Sequence, residues 1–179
     1  MTASHPAKGI DSADLRRAFA CHPSGIVLVT GIDEAGPVGL AVATVVPISL
    51  DPPMLGFLPG KSSKSWQRIH RVGSFAVNVL SERQEDLCSI FSSSGGDKFA
   101  GVGWTTGPDG QPIIEGVAAW FECTISQAVH AGDHYFVMGE ITGFRVASSA
   151  RPLVFFRSSY SAWRLEAREA RSAPCRLRP

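Results

Sequence analysis

Gly39 to Pro53 reads GLAVATVVPISLDPP, a run of small and β-branched residues that carries no charge before Asp51. Valine, isoleucine and threonine favour extended backbone, and the Pro52-Pro53 pair ends the run. Small side chains also leave backbone amides and carbonyls accessible, so the segment is either a core strand or the floor of a ligand site. Its periodicity alone favours the core strand.

The rest of the chain alternates short apolar runs with turns. We predict strands at residues 26–30, 38–46, 54–58, 75–80, 117–128, 134–147 and 153–156, and a short terminal one at 160–163. Helices are predicted from Asp11 or Ser12 through DLRRAFA, at 62–71 and at 82–91, and residues 103–112 are turn-rich. Turns rather than crossover helices separate the strands. This favours an antiparallel, mainly β barrel with a few short helices over a parallel sheet.

Length and composition indicate one globular domain. The chain has 179 residues, of which 44% are hydrophobic and 18% are charged. We divide it into a flexible N-terminal tail at 1–10, a single domain at 11–165 and a C-terminal tail at 166–179. The net charge of +1 gives no electrostatic footprint for nucleic acid. Without a bilayer-spanning apolar run or a signal peptide, we expect no membrane association and a cytoplasmic location.

The cysteines indicate neither disulfides nor a metal site. Cys21, Cys88, Cys123 and Cys175 are far apart, with no CxxC pair and no Cys/His cluster at ligand spacing. Thiols stay reduced in the cytoplasm. We therefore expect Cys21, Cys88 and Cys123 to be small buried apolar residues, and we expect no bound metal.

The segment Lys61-Ser62-Ser63-Lys64-Ser65 is a second candidate site, at the start of a predicted helix. Free amides and the helix dipole favour an anion at that position, while lysine adds charge and serine adds donors. A capped, solvated helix start explains the same pattern equally well.

Gly132-Asp133-His134 is a third candidate, at the start of a predicted strand. An aspartate beside a histidine holds the imidazole in one tautomer, as acid–base chemistry requires. A turn followed by a surface histidine is the plainer interpretation. A Ser-His-Asp hydrolase is the other alternative, but the chain has no GxSxG nucleophile elbow. It also has no GxGxxG after a strand and no GxxxxGK[ST].

Taken together and in order, seven segments resemble the flavin reductase family with the FMN-binding split-barrel fold. They are LRRAF…HPSGIVLVT (15–30), GPVGLAVATVVPISLDPP (36–53), SFAVNVL (74–80), DKFAG (97–101), GVAAWFEC (116–123), GDH (132–134) and LVFFRSSY (153–160). The resemblance covers roughly residues 14–163. It implies a six-stranded antiparallel Greek-key split β-barrel that forms a homodimer.

The resemblance also implies an activity. Members of this family reduce FMN or FAD with NADH or NADPH and release the reduced flavin to a partner monooxygenase. The resemblance implies that His134 is the residue for nicotinamide binding and hydride transfer. The implied flavin-binding residues are Ala43, Thr44, Val45, Val46 and Ser49 along the ring and ribityl chain, Ser63, Lys64 and Ser65 at the phosphate, Lys98 and Phe99 near the flavin, and Arg157 and Tyr160 near the ring.

This chain departs from the family pattern, which usually reads close to GLTANSFTSVSLDPP. Ala41 replaces a threonine, Ala43 replaces the asparagine, and Val46-Pro47 replace a Thr-Ser pair. The usual RGRY ending is RSSY here, at residues 157–160. We therefore expect flavin contacts made mainly by the backbone, and Pro47 removes one amide donor from that set.

Two other functions fit the more apolar segment. The first is an enzyme of the same fold that acts directly on an aromatic or polyketide-like molecule, with flavin tightly bound or lost. The second is a split-barrel protein that binds a flavin or another small molecule without catalysing redox chemistry.

Overall fold

The computed structural model describes residues 9–147, 150–157 and 159–162. Its helices are α1 Ser12–Phe19, α2 Lys64–Val72 and α3 Glu85–Ser92. Its strands are β1 Ser24–Gly25, β2 Val27–Asp33, β3 Gly36–Val42, β4 Val45–Leu50, β5 Pro53–Phe57, β6 Ser74–Val79, β7 Trp104–Thr106, β8 Pro112–Ile114, β9 Ala119–Ala131, β10 His134–Val146, β11 Leu153–Phe156 and β12 Ser159–Ala162. Residues 1–8 of the predicted N-terminal tail, Trp163, and the whole predicted C-terminal tail lie outside the described residues.

Seven of these strands form one antiparallel sheet in the order β3-β2-β6-β9-β10-β5-β4. Its longest pair is β9 with β10, which runs from His134 opposite Ala131 to Val146 opposite Ala119. Two smaller sheets, β1-β11-β12 and β7-β8, complete the described β structure. Every pairing between strands is antiparallel, as the turn-rich sequence predicts.

The link between β3 and β4 forces this sheet to curl. The two strands lie at opposite edges, yet only two residues separate Val42 from Val45. A flat seven-stranded sheet would place its edges about 29 Å apart, at about 4.8 Å per strand. Three peptide steps span at most about 11 Å. At this end of the strands, the sheet therefore wraps round until its two edges lie close together.

The main hydrophobic core fills the inside of the curl. Buried or partly buried residues from all seven strands contribute to it, including Val42 of β3, Val45 of β4 and Phe57 of β5. Trp66 and Ile69 of α2 pack into the same cluster. A second cluster joins α3 to the β1-β11-β12 sheet through Phe91, Leu153 and Phe155, among others.

The structure corrects three of our sequence predictions. The segment 38–46 is not one strand, because β3 ends at Val42 and the chain crosses to the other sheet edge before β4. The turn-rich segment 103–112 holds β7 and leads into β8. The six-strand barrel count is not confirmed, since the sheet has seven strands and its hydrogen bonds leave two open edges among the described residues.

The cysteine prediction is wrong for Cys21 and right for two others. Cys21 follows α1 and is exposed, whereas Cys88 and Cys123 are buried. Burial raises the pKa of the Cys123 thiol to about 12. Cys175 lies beyond the described part of the chain.

A buried carboxylate fastens the β7–β8 loop to the sheet. Glu122 of β9 is fully buried, and its side-chain oxygens accept hydrogen bonds from the amides of Asp109 and Gln111 at 3.1 Å. The loop approaches so closely that a β-carbon at Gly107 would lie 2.5 Å from Glu122 Oε1. Glu122 therefore supplies hydrogen-bond acceptors for two loop amides.

We expect Glu122→Ala to lower the free energy of unfolding by about 3 kcal/mol, because it leaves the buried amide of Gln111 and the partly buried amide of Asp109 without their acceptor. Urea denaturation followed by tryptophan fluorescence measures this change. Glu140→Ala is the matched control, since Glu140 is an exposed acid on the neighbouring strand β10 and should change stability by less than about 0.5 kcal/mol. Equal stability of the two variants would contradict the anchoring role of Glu122.

Candidate functional site

A groove of about 1020 Å³ lies beside the edge strand β3. Three segments line most of it: residues 37–41 of β3, residues 62–65 at the start of α2, and residues 91–99 at the end of α3 and in the loop that follows. Its size suits a nucleotide-sized ligand. Because both segments contribute lining residues, the groove brings together the KSSKS segment and the DKF segment, which lie about 30 residues apart in sequence.

One end of the groove is built to hold an anion. Ser63 caps α2, because its hydroxyl oxygen accepts a hydrogen bond from the Trp66 amide at 3.2 Å. The amides of Lys64 and Ser65 belong to the same first turn and have no intrahelical acceptor. In the described part of the chain, Lys64 forms no ion pair. Free amides, hydroxyls and an uncompensated ammonium group thus face the groove together.

Arg68 extends this wall, although its charge is already paired. Its Nε donates to Asp33 Oδ2 at 2.7 Å, and its Nη2 donates to the Gly36 carbonyl at 2.9 Å as well as to Asp33. The guanidinium lowers the pKa of Asp33 from its ordinary value of 3.8 to about 2. Our sequence analysis missed Arg68. Its position four residues after Lys64, on the same helix face, was the available signal.

Another part of the groove lining is aromatic and closely packed. The rings of Phe91 and Phe99 meet edge to face, with centroids 5.1 Å apart. A β-carbon at Gly39 would lie 2.6 Å from Phe91 Cε1, so only glycine lets α3 approach β3 this closely. The Lys98 ammonium links α3 to β3, because it donates to the Phe91 carbonyl at 2.9 Å and to the Gly39 carbonyl at 3.4 Å.

His134 lies next to the anion-binding end. Its Nδ1 is 2.7 Å from Asp133 Oδ1, and its side chain is 44% exposed. Backbone hydrogen bonds join this turn to the segment before α2, from Lys61 N to Asp133 O and from Tyr135 N to Pro59 O, both at 3.0 Å. A β-carbon at Gly60, a groove residue, would lie 3.9 Å from His134 Nε2. The GDH and KSSKS segments are therefore neighbours.

Several predicted site residues do not line this groove. Ala43 and Thr44 form the exposed link between β3 and β4, and Val45, Val46 and Ser49 belong to β4 on the other sheet edge. Arg157 is exposed, with its guanidinium over the Phe156 ring. Tyr160 packs beside Phe155, with ring centroids 5.2 Å apart.

The groove also contains residues that the sequence analysis did not assign to a site. They are Gly60, Arg68, Phe91, the turn and strand residues Ala35, Pro37 and Val38, and the serine- and glycine-rich loop at 92–96. The serine- and glycine-rich composition of this loop indicates only a flexible polar segment. Composition alone does not show which element a loop faces, because that depends on packing between distant segments.

Within the described residues, no three or more His, Cys, Asp or Glu side chains are grouped so that they could hold a metal ion. None of the described helices has the length and apolar character needed to cross a membrane.

A groove that combines a helix start with an aromatic wall in an antiparallel β domain suits a ligand with an anionic group and an aromatic ring. Residues 19–164 match the family model described as a flavin reductase like domain. The chain belongs to this family.

The relatives are similar along most of their length. A flavin reductase from Pseudomonas putida is 41% identical over 155 residues, covering 86% of this chain and 91% of the relative. The reductase subunit HsaB of a flavin-dependent monooxygenase from Rhodococcus jostii is 38% identical over 155 residues, covering 87% and 80%. The solved structure of a Streptomyces globisporus NADH:FAD oxidoreductase with NAD and FAD fragments superposes with a TM-score of 0.84 at 28% identity, covering 92% and 99%.

The ion pair at the groove wall predicts an acid-sensitive contribution to stability. The folded-state pKa of Asp33 is depressed, so its contribution is present above about pH 4 and is lost as the pH falls toward 2. We expect Asp33→Asn to be less stable than wild type at neutral pH, with the difference shrinking over this window. Urea unfolding at a series of pH values measures it.

Glu34→Gln is the control for Asp33→Asn, because Glu34 is exposed in the same turn and forms no described ion pair. The free energy of unfolding of Glu34→Gln should stay close to that of wild type at every pH in the series. A stability difference for Asp33→Asn that is the same at neutral and acid pH would contradict the prediction.

Proposed function

We propose that the protein is an NAD(P)H:flavin oxidoreductase that reduces FMN or FAD and supplies the reduced flavin to a partner monooxygenase. Its relatives bear the names of flavin reductases and of a monooxygenase reductase subunit. The solved relative with NAD and FAD fragments supports both nucleotides as ligands. We place the protein in the cytoplasm, where reduced nicotinamide nucleotides are available.

One observation about the groove carries this proposal: its lining combines the two kinds of surface that a flavin nucleotide needs. The phosphate fits the first turn of α2, with the amides and side chains of Ser63, Lys64 and Ser65. The apolar ring system fits the wall formed by Phe91 and Phe99. The groove volume of about 1020 Å³ has room for either flavin.

The nicotinamide and flavin pair supplies the redox chemistry, in which a hydride passes from nicotinamide C4 to flavin N5. The protein contributes binding and orientation. Ser63, Lys64 and Ser65 hold the flavin phosphate. His134 is positioned by Asp133 to hold the nicotinamide where Gly60 opens into the groove.

The remaining predicted flavin residues fit a site completed by a second copy of the chain, in a split-barrel homodimer. Val46, Ile48 and Leu50 of β4 are 37%, 39% and 96% exposed, so this open sheet edge carries several exposed apolar side chains. A second copy packed on this edge would enclose the nearby link at Ala43 and Thr44. These residues would then reach the flavin through backbone groups.

We expect the wild-type protein to have the mass of a dimer by light scattering, and Ile48→Glu to shift it toward the monomer, because a buried unpaired carboxylate is unfavourable. Ile10→Glu is the matched control, since Ile10 is an apolar residue that is 63% exposed and lies away from β4. A monomeric wild type, or an Ile48→Glu variant that stays dimeric, would contradict the proposed interface.

Aerobic oxidation of NADH or NADPH with added FMN or FAD tests the activity directly. We expect turnover by the wild type, and Lys64→Gln should raise the KM for flavin about tenfold by removing one charge-assisted contact to the phosphate. Arg83→Gln is the control, because Arg83 is an exposed cation outside the groove. Absence of turnover with both nucleotides and both flavins would refute the proposal.

Two further measurements on the purified protein distinguish the direct enzyme from the non-catalytic binding protein. A yellow chromophore that stays with the protein through gel filtration would favour bound flavin and direct action on an aromatic or polyketide-like molecule. Absence of flavin fluorescence quenching would favour a binding protein for another ligand. The direct enzymatic alternative draws support from the apolar side chains of Ala41, Val42, Ala43, Val45 and Val46.

A further inference from the structure

Lys98 carries the least compensated charge in the aromatic half of the groove. Its ammonium donates to two backbone carbonyls, those of Phe91 and Gly39, and in the described part of the chain no carboxylate lies within ion-pair distance. The adjacent Asp97 is turned away, because its Oδ1 accepts a hydrogen bond from the Phe99 amide at 2.9 Å. Burial lowers the pKa of Lys98.

The surroundings of Lys98 reduce solvent screening of this charge. Phe91 and Phe99 are buried and pack against each other, and Lys98 itself is only partly exposed. A fixed charge acts more strongly on a ligand where water is excluded. Elsewhere in the groove, Lys64 is exposed at a helix start, and Arg68 is paired with Asp33.

The two lysines face different parts of a flavin nucleotide under the proposed function. Lys64 faces the phosphate, whose charge is the same in both redox states. Lys98 faces the ring system, which gains electrons on reduction and is anionic at neutral pH once reduced. A cation at the ring therefore discriminates between the two redox states, whereas a cation at the phosphate does not.

We propose that Lys98 stabilises the negative charge that the flavin ring gains on reduction, so that removing the charge of Lys98 weakens the binding of reduced flavin more than the binding of oxidised flavin. The inference rests on the proposed function, because it requires that flavin occupies the groove with its ring beside Phe91 and Phe99. A residue that only holds the flavin in place would bind both redox states equally. The inference instead gives Lys98 a different effect on the oxidised and the reduced flavin.

A purely structural role for Lys98 makes a different prediction. The ammonium lies at the carbonyl end of α3, where a cation stabilises the helix, and it links α3 to β3. Loss of that link would lower stability and would weaken both redox states of the flavin by the same factor. The ratio of the affinities for reduced and oxidised flavin therefore distinguishes the structural role of Lys98 from the proposed electrostatic one.

The experiment measures dissociation constants for oxidised and reduced FMN and FAD under anaerobic conditions, by equilibrium dialysis. We expect Lys98→Met to weaken binding of reduced flavin about tenfold more than binding of oxidised flavin, the size of one charge-assisted contact. Lys98→Arg, which keeps the charge, should restore most of the wild-type ratio. Lys98→Gln is a second neutral variant, used in case the methionine variant does not fold.

Lys64→Met is the matched control. It should weaken both redox states equally, and its effect should disappear with riboflavin, which lacks the phosphate, while the Lys98→Met effect should persist. Equal weakening of both redox states by the neutral Lys98 variants, or a ratio that Lys98→Arg fails to restore, would overturn the inference about Lys98. Failure of the wild type to bind either flavin would instead overturn the proposed function.

Discussion

The two-residue link between β3 and β4 constrains the whole domain. It joins strands that lie at opposite edges of a seven-stranded sheet, and no flat sheet satisfies that connection. The curl that follows encloses one core, in which Val42 at one edge and Val45 at the other belong to the same cluster. Among the described residues, β3 and β4 have no strand partner on their outer sides, and both proposed binding surfaces use these free edges.

At the β3 edge, the free backbone becomes part of the site. The absence of a side chain at Gly39 lets Phe91 pack directly on the strand, and this contact brings the carbonyls of Gly39 and Phe91 within reach of Lys98. The first turn of α2 forms the facing wall with an exposed set of amides. The groove thus combines an edge strand, a helix start and a helix end, each of which supplies backbone groups that regular pairing leaves free.

Much of the local structure could be predicted from residue types. Asp11 caps α1, Ser63 caps α2 and residues 153–156 form a strand, because capping and β-branched patterns act over a few residues. The split of segment 38–46 into two strands could not be predicted in this way. Ala43 and Thr44 resemble their neighbours in character, and the break arises from the path that the chain takes between sheet edges.

The sequence determined the strand-rich class, the capped helix starts and the family to which the chain belongs, since these depend on short-range patterns and on the order of motifs. The tertiary structure decided which motifs share a site. It brought the KSSKS segment, Lys98 and Phe99 into one groove, placed His134 beside Gly60 at its end, and left residues 43–49 on the opposite sheet edge. The physical reason is that sheet curvature and the packing of α2 and α3 on β3 set distances between residues far apart in the chain.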